Sequence, residues 1–428
     1  MKSSIEHEKS IFIKWLKKEV SPALGCTEPV AIAFAAARAA KAINQPACRI
    51  KGFISENLYK NAMGVTIPGT RASGVNLAAA IGAVGGNADK GLETLKGINE
   101  KHIETAYQLV NAGEVEISAA ETESFIHIDL TVYGATQHCR VVINGTHTNM
   151  THLYINDIEQ PIVRNPEANA QSEELPVFSL KEAFDFISNV DFSDIAFMLE
   201  ARDINEALSA EGQQREYGLN INGILKNAIA QGIMHDDLMS KILIDTVAAS
   251  DARMGGAPVP AMSNFGSGNQ GIAATMPVVV VARHLEATAE ELARALALSH
   301  LTAISIHARY TRLSALCAAS TASMGAAAGM GWLFTKDFNV INAAITNMIS
   351  DISGIICDGA SNSCAMKVST VSMSAFKSVL MAHHHRCASA NDGIVAQDVE
   401  VSINNLCHLV VHPMTHTDKE IINIMTHK

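Results

Sequence analysis

A chain of 428 residues with 48% hydrophobic and 18% charged side chains is long enough for two buried cores and too apolar for a disordered or fibrous protein. Its net charge of −11 leaves no strongly basic face to neutralise phosphates, so no nucleic-acid partner is expected and a small molecule is the expected ligand. The first ten residues have neither an apolar core nor a small-residue cleavage site, and the most membrane-like stretch, 315–334, is mostly Ala, Gly and Ser. A cytoplasmic protein with no membrane association is therefore expected.

In chain order, apolar residues at helical spacing predict helices over 11–20, 30–43 and 92–110. Alternating or continuous apolar runs between Gly, Asn and Thr breaks predict strands over 114–118, 125–133, 138–143 and 150–155, read together as an antiparallel sheet, and 49–55 adds another strand. Residues 164–176 are Pro, Asn, Ala, Gln, Ser and Glu with little to bury, which marks a linker. Beyond it helical patterns follow at 180–190, 195–210, 223–230, 238–252, 289–305, 314–332 and 340–350. The expected fold class is α+β: an N-terminal α/β domain with an antiparallel sheet, residues 1–165, and a larger, mostly α-helical domain, residues 178–428. The small residues after Cys317 suit a central helix that other backbones approach closely.

Eight cysteines without a secretion signal read as reduced thiols rather than a disulfide framework. Four fall in suggestive places: Cys26, Cys317, Cys357 and Cys364. Three of the four could hold an iron–sulfur cluster. A cubane on three thiolates leaves one iron open to a substrate oxygen, whereas four ligands suit electron transfer. Cys26 lies in Gly-Cys-Thr-Glu-Pro just before a predicted helix, where backbone amides favour a thiolate able to act as base, nucleophile or ligand; a plain buried thiol is the alternative.

Arg253, in Ser-Asp-Ala-Arg-Met-Gly-Gly, can clamp a carboxylate in bidentate fashion or pair internally with Asp251. The Gly-rich segment 266–271 offers Asn269 and Gln270 to a carboxylate or amine, and matches neither the dinucleotide fingerprint nor the phosphate loop. Cys357 and Cys364 bracket a stretch of turn formers that can curl two thiols onto one inorganic core. Their spacing is wider than a zinc knuckle, and two core cysteines are the alternative. The run His383-His384-His385 with Cys387 reads as a solvated surface tract, since adjacent helical side chains point different ways.

Together these segments resemble the L-cysteine desulfidase family, related to the α-chain of iron–sulfur L-serine dehydratases. The resemblance is carried by residues 21–29, 65–70, 250–256, 266–271, 312–317, 356–360 and 392–395, almost the whole length of the chain. It implies a 4Fe-4S cluster on Cys317, Cys357 and Cys364, with Cys26 as the proton acceptor at the substrate α-carbon and no pyridoxal phosphate. The implied reaction is β-elimination from L-cysteine to pyruvate, ammonia and hydrogen sulfide. Arg253, Asn269 and Gln270 carry donors suited to orient the amino-acid substrate. A homo-oligomer is expected. L-serine dehydration by the same mechanism is the nearest alternative, and a non-catalytic iron–sulfur redox sensor with four cysteine ligands is a further one. A zinc hydrolase would need a His-Glu-x-x-His pattern, which the sequence lacks.

Overall fold

Period-two patterning in the first half of the chain resolves into a six-stranded sheet in the computed structural model, which describes residues 2–23, 25, 27–70, 72–162, 178–310 and 314–427. The elements of this half are α1 (Lys2–Glu19), β1 (Pro22–Ala23), α2 (Thr27–Ile43), β2 (Arg49–Ser55), α3 (Glu56–Ala62), α4 (Val75–Gly85), α5 (Glu100–Asn111), β3 (Val115–Ala120), β4 (His127–Tyr133), β5 (His138–Asn144), β6 (Met150–Ile155) and β7 (Ile158–Glu159). Strand order is β3-β2-β4-β5-β6-β7. Neighbours are antiparallel except β2 and β3, which run parallel because three helices intervene and return the chain to the same end. Helices α2 and α4 pack together, and Ile32 and Ala36 of α2 share a core with Ile50, Ile128, Leu130 and Val141 of the sheet.

The helix expected over 92–110 is divided. A 3-10 turn at Gly91–Glu93 ends before Gly97, whose φ of +106° leaves the helical region. A new helix then starts at a capping box in which Asn99 and His102 satisfy each other's backbone N–H groups. The linker expected at 164–176 lies outside the described residues.

The second half is helical: α6 (Leu180–Asn189), α7 (Phe192–Ile195), α8 (Leu199–Gln214), α9 (Ile221–Ala230), α10 (Leu238–Met254), the two-residue strand β8 (Ala261–Met262), α11 (Gly268–His284), α12 (Ala289–His307), α13 (Ala318–Thr335), α14 (Phe338–Ile352), α15 (Cys364–His383), α16 (Val399–Val411) and α17 (Met414–Thr426). The protein is thus α+β, with a small sheet in the N-terminal region and a larger helical part after it. Capping boxes at Ser179, Asp237 and Thr288 explain where three of the helices begin. The small-residue helix α13 is central, packed by α11, α12, α14 and α15. A Cβ on its Gly325 would stand 2.2 Å from the Ser299 carbonyl oxygen, so the α12–α13 approach requires glycine there.

Among the described residues the two largest apolar cores lie under the sheet and among the helices. The first helix joins the second core: Phe12 stacks on Phe186 at 4.7 Å and meets Phe178 edge-on at 4.9 Å. Directly after it, β1 pairs antiparallel with β8, and Ser263 and Phe265 donate backbone N–H bonds to Ser21 and Glu19. This ribbon carries the Gly-Cys-Thr-Glu-Pro segment to the helical half. No helix among the described residues is long and apolar enough to cross a membrane.

Candidate active site

Cys317 and Cys357, forty residues apart, are brought side by side by a short backbone ribbon. Cys317 N–H donates to Ile355 O at 2.9 Å, Cys357 N–H donates to Ala315 O at 2.7 Å, and Leu316 and Ile356 form an antiparallel bridge between them. Cys317 is the N-cap of α13 and Cys364 is the first residue of α15. Both thiols therefore stand where unpaired amides and the helix dipole favour negative charge. Cys364 Sγ also accepts the Ser361 N–H at 3.4 Å.

The three thiols sense one another. Burial pushes the Cys317 thiol up, and negative charge on Cys357 and Cys364 pushes it further; burial likewise raises Cys364, with Cys357 adding to the effect. Two cations face the same region. Lys367 interacts with all three cysteines, and Arg253 interacts with Cys364. Among the described residues no three His, Cys, Asp or Glu side chains are grouped tightly enough to hold a single metal ion. The donors are instead three partly buried soft thiols whose charges act on one another beside two cations, which is chemistry that suits an anionic iron–sulfur group.

Arg253 lies in the last turn of α10 and joins two other motifs. Its Nη2 donates to Gly25 O at 3.3 Å, immediately before Cys26 in the chain. Its side chain crosses Gly268, where a Cβ would stand 2.1 Å from Arg253 Nε; glycine at this helix start is what admits the guanidinium. The segment 65–70 closes the same region, with Pro68 against Gly25 and Thr66 against Gly256. Cys26 itself lies outside the described residues.

The Gly-rich segment 266–271 is the start of a helix rather than a free turn: Ser267 caps α11, and Asn269 and Gln270 sit in its first turn. Asn269 Oδ1 accepts the Ser250 hydroxyl at 3.3 Å, on the same side as α10. Gln270 turns elsewhere. It is buried, and its Oε1 lies 2.8 Å from His307 Nδ1, whose imidazole is stacked between Phe265 and Tyr310 with ring centroids 4.5 Å from each. Gln270 therefore ties α11 to α12, while Arg253 and Asn269 adjoin the motif loops.

Asp251 does not serve as a counterion on the Arg253 side. Its carboxylate accepts backbone N–H bonds from Leu219 at 3.2 Å and Ile221 at 2.7 Å, fixing the entry to α9. Burial pushes the carboxyl up from 3.8 to about 6, although the N–H groups of Ile221, Leu219 and Asn222 pull it down. A folded-state value above the unfolded one means that the folded chain holds the proton more tightly between pH 4 and pH 6, roughly. Stability should fall as the pH rises through that window. Asp251→Asn is expected to flatten this part of the profile, by on the order of 2 kcal/mol, as read from urea unfolding at both ends of the window.

His147 is a residue that sequence patterning did not single out. It comes from the turn between β5 and β6, and its Nε2 lies 3.2 Å from the Thr27 hydroxyl, which also donates to Glu28 at 3.4 Å. Burial lowers the imidazole's proton affinity, and the Glu28 charge partly opposes this. Its separation of 120 residues from Thr27 in sequence hid it. The tract His383, His384, His385 and Cys387 is exposed at the end of α15, as expected of a surface run.

Residues 88–423 match the family described as serine dehydratase alpha chain. A UPF0597 protein of Klebsiella pneumoniae is 66% identical over 98% of this chain and 99% of its own length. The UPF0597 protein YhaM of Escherichia coli is 50% identical over 97% of each chain, and a UPF0597 protein of Actinobacillus pleuropneumoniae is 48% identical over 100% of this chain and 99% of its own.

Proposed function

The chain belongs to the serine dehydratase alpha chain family, and from that premise we propose that it is a carbon–sulfur lyase, an L-cysteine desulfidase converting L-cysteine and water to pyruvate, ammonia and hydrogen sulfide. The observation that carries this reading is the meeting of Arg253 with both Gly25, beside Cys26, and the neighbourhood of Cys364. Arg253 thus links the residue before Cys26 to the loop of Cys364, which supports a shared site for clamp, base and cluster in this reading.

In this reading Cys317, Cys357 and Cys364 would hold a 4Fe-4S cluster, which would supply a Lewis acid for the substrate. Arg253 engages the substrate carboxylate and the Asn269 carboxamide orients the amino acid against it. Cys26, as thiolate, removes the α-proton, and the β-thiol departs as the Cα–Cβ double bond forms. The released enamine tautomerises to an imine, gaining a proton at Cβ and losing one from nitrogen, and water hydrolyses it to pyruvate and ammonia without further catalytic groups. Gln270, engaged by His307, contributes by fixing the first turn of α11 on which Asn269 stands. L-serine fits the same scheme with water as leaving group; the Gly-Cys-Thr-Glu-Pro form of the base segment favours L-cysteine.

The test is anaerobic reconstitution of the full chain with iron and sulfide, followed by pyruvate and sulfide assays on L-cysteine with L-serine in parallel. Cluster-dependent sulfide release is expected, with L-cysteine preferred. Cys26→Ser should keep the cluster absorbance and lower turnover about 100- to 10,000-fold. Loaded protein that forms pyruvate from neither amino acid would sink the lyase reading in favour of a sensor.

A further inference from the structure

One charged pair stands over the cysteine loop. Lys367 of α15 is ion-paired with Asp358, across the turn that begins at Cys357 and ends at Cys364. Asp358 follows Cys357 directly, and Lys367 lies one helical turn beyond Cys364, so the pair joins the two ends of the loop. The Lys367 side chain is only 21% exposed, and its positive charge acts on Cys317, Cys357 and Cys364. Inside the loop, Gly359 has φ of +101°, and a Cβ there would stand 2.3 Å from Lys60 O. One side of the loop is thereby pressed on α3, and the other is held by Lys367.

We propose that Lys367 is a positioning residue for the three-cysteine group: its pair with Asp358 holds the 357–364 turn in a loading-ready shape, and its ammonium offsets the negative charge that three thiolates and a bound cluster bring. The second half of this inference rests on the cluster reading above; the first half concerns the empty protein. A neutral side chain at 367 loosens the turn before loading and leaves the loaded centre more negative. Loss of such an outer-sphere partner typically costs about 10- to 100-fold in metal-centre affinity. Arginine keeps the charge and reach to Asp358. Asp358→Asn weakens the tie while keeping the lysine charge, which separates shape from electrostatics.

The experiment compares full-length wild type, Lys367→Met, Lys367→Arg and Asp358→Asn. In the empty proteins, amide hydrogen exchange across 357–364 should be faster in Lys367→Met and Asp358→Asn and near wild type in Lys367→Arg. After anaerobic loading with iron and sulfide, cluster loss to a chelator should be about 10- to 100-fold faster in Lys367→Met. Its reduction potential should shift negative, while Asp358→Asn stays nearer the wild-type potential. Unchanged exchange in Lys367→Met overturns the staple. Unchanged cluster retention and potential in that variant overturn the electrostatic role. A wild-type chain that takes up no iron refutes the cluster reading and the electrostatic role with it, and the exchange comparison still decides the staple.

Discussion

Asp418→Ala is expected to lower the unfolding free energy by about 3–5 kcal/mol, the usual result of stripping one partner from a buried ion pair. The reason lies in Lys60, whose side chain is 1% exposed and whose ammonium is ion-paired with Asp418 on α17. Asp418 is itself 14% exposed, so solvent screens the pair little. With the carboxylate gone, the buried ammonium on α3 loses its ion partner, which costs stability. Urea unfolding at neutral pH measures the loss. Replacing both members, Lys60→Met with Asp418→Leu, should recover most of it, because the desolvation penalty disappears with the charges. An Asp418→Ala protein within about 1 kcal/mol of wild type would show that water or another group compensates Lys60.

Serine in place of Cys317, Cys357 or Cys364 should each abolish the visible absorbance of a reconstituted cluster and, with it, sulfide release from L-cysteine. A hydroxyl is a harder and far less acidic donor than a thiol, and the proposed set of three ligands leaves no spare one. The contrast set is built into the chain. Cys48 and Cys387 are exposed and lie outside the site, so Cys48→Ser and Cys387→Ser should load and turn over as wild type does. A full iron complement in any of the three site variants would transfer a ligand role to Cys26, and loss of iron in the two exposed variants would implicate general unfolding or a different thiol set. The two outcomes are separated by far-ultraviolet circular dichroism of the same samples.

Much of the architecture was legible because its signals are local. The strand around 128–132 alternates apolar and polar residues, that around 139–143 runs apolar, and the helices at 180–189 and 289–307 announce themselves through Ser179 and Thr288 capping boxes. Helix α4 escaped notice since its Ala, Gly, Val, Leu and Ile residues show little polar contrast; buried against α2, it needs none. The segment 266–271 looked like a loop from its glycines, yet those glycines serve close contact: Gly268 accommodates Arg253, and a Cβ on Gly271 would fall 1.8 Å from Met262 O.

For the candidate site, Arg253, Asn269, Cys357 and Cys364 were visible as motifs because each lies beside glycines or other turn formers in an otherwise helical pattern, and Cys317 because it directly precedes the small-residue helix. Their mutual arrangement was not, since it depends on the pairings of 315–317 with 355–357 and of 22–23 with 261–262. Partners supplied from afar were invisible for the same reason. His147 reaches Thr27 from a hairpin turn, and His307 takes Gln270 from another helix. Asp251, read as a possible partner of Arg253, is drawn away by the backbone of a segment thirty residues earlier.

The placement of α1 sets a problem for the chain as it leaves the ribosome. Its aromatic face is covered by α6 and α12, with Phe12 and Trp15 buried in the finished protein, yet the sheet-bearing segment is synthesised in between. About 270 residues separate the end of α1 from the start of α12, so at common elongation rates of about 5–20 residues per second the helix waits roughly 15–55 s for its partner. Until α6 is made the apolar face of α1 has neither cover, and until α12 is made it has only part of it, which makes α1 a natural holding point for a chaperone and makes translation arrest before α12 an aggregation hazard.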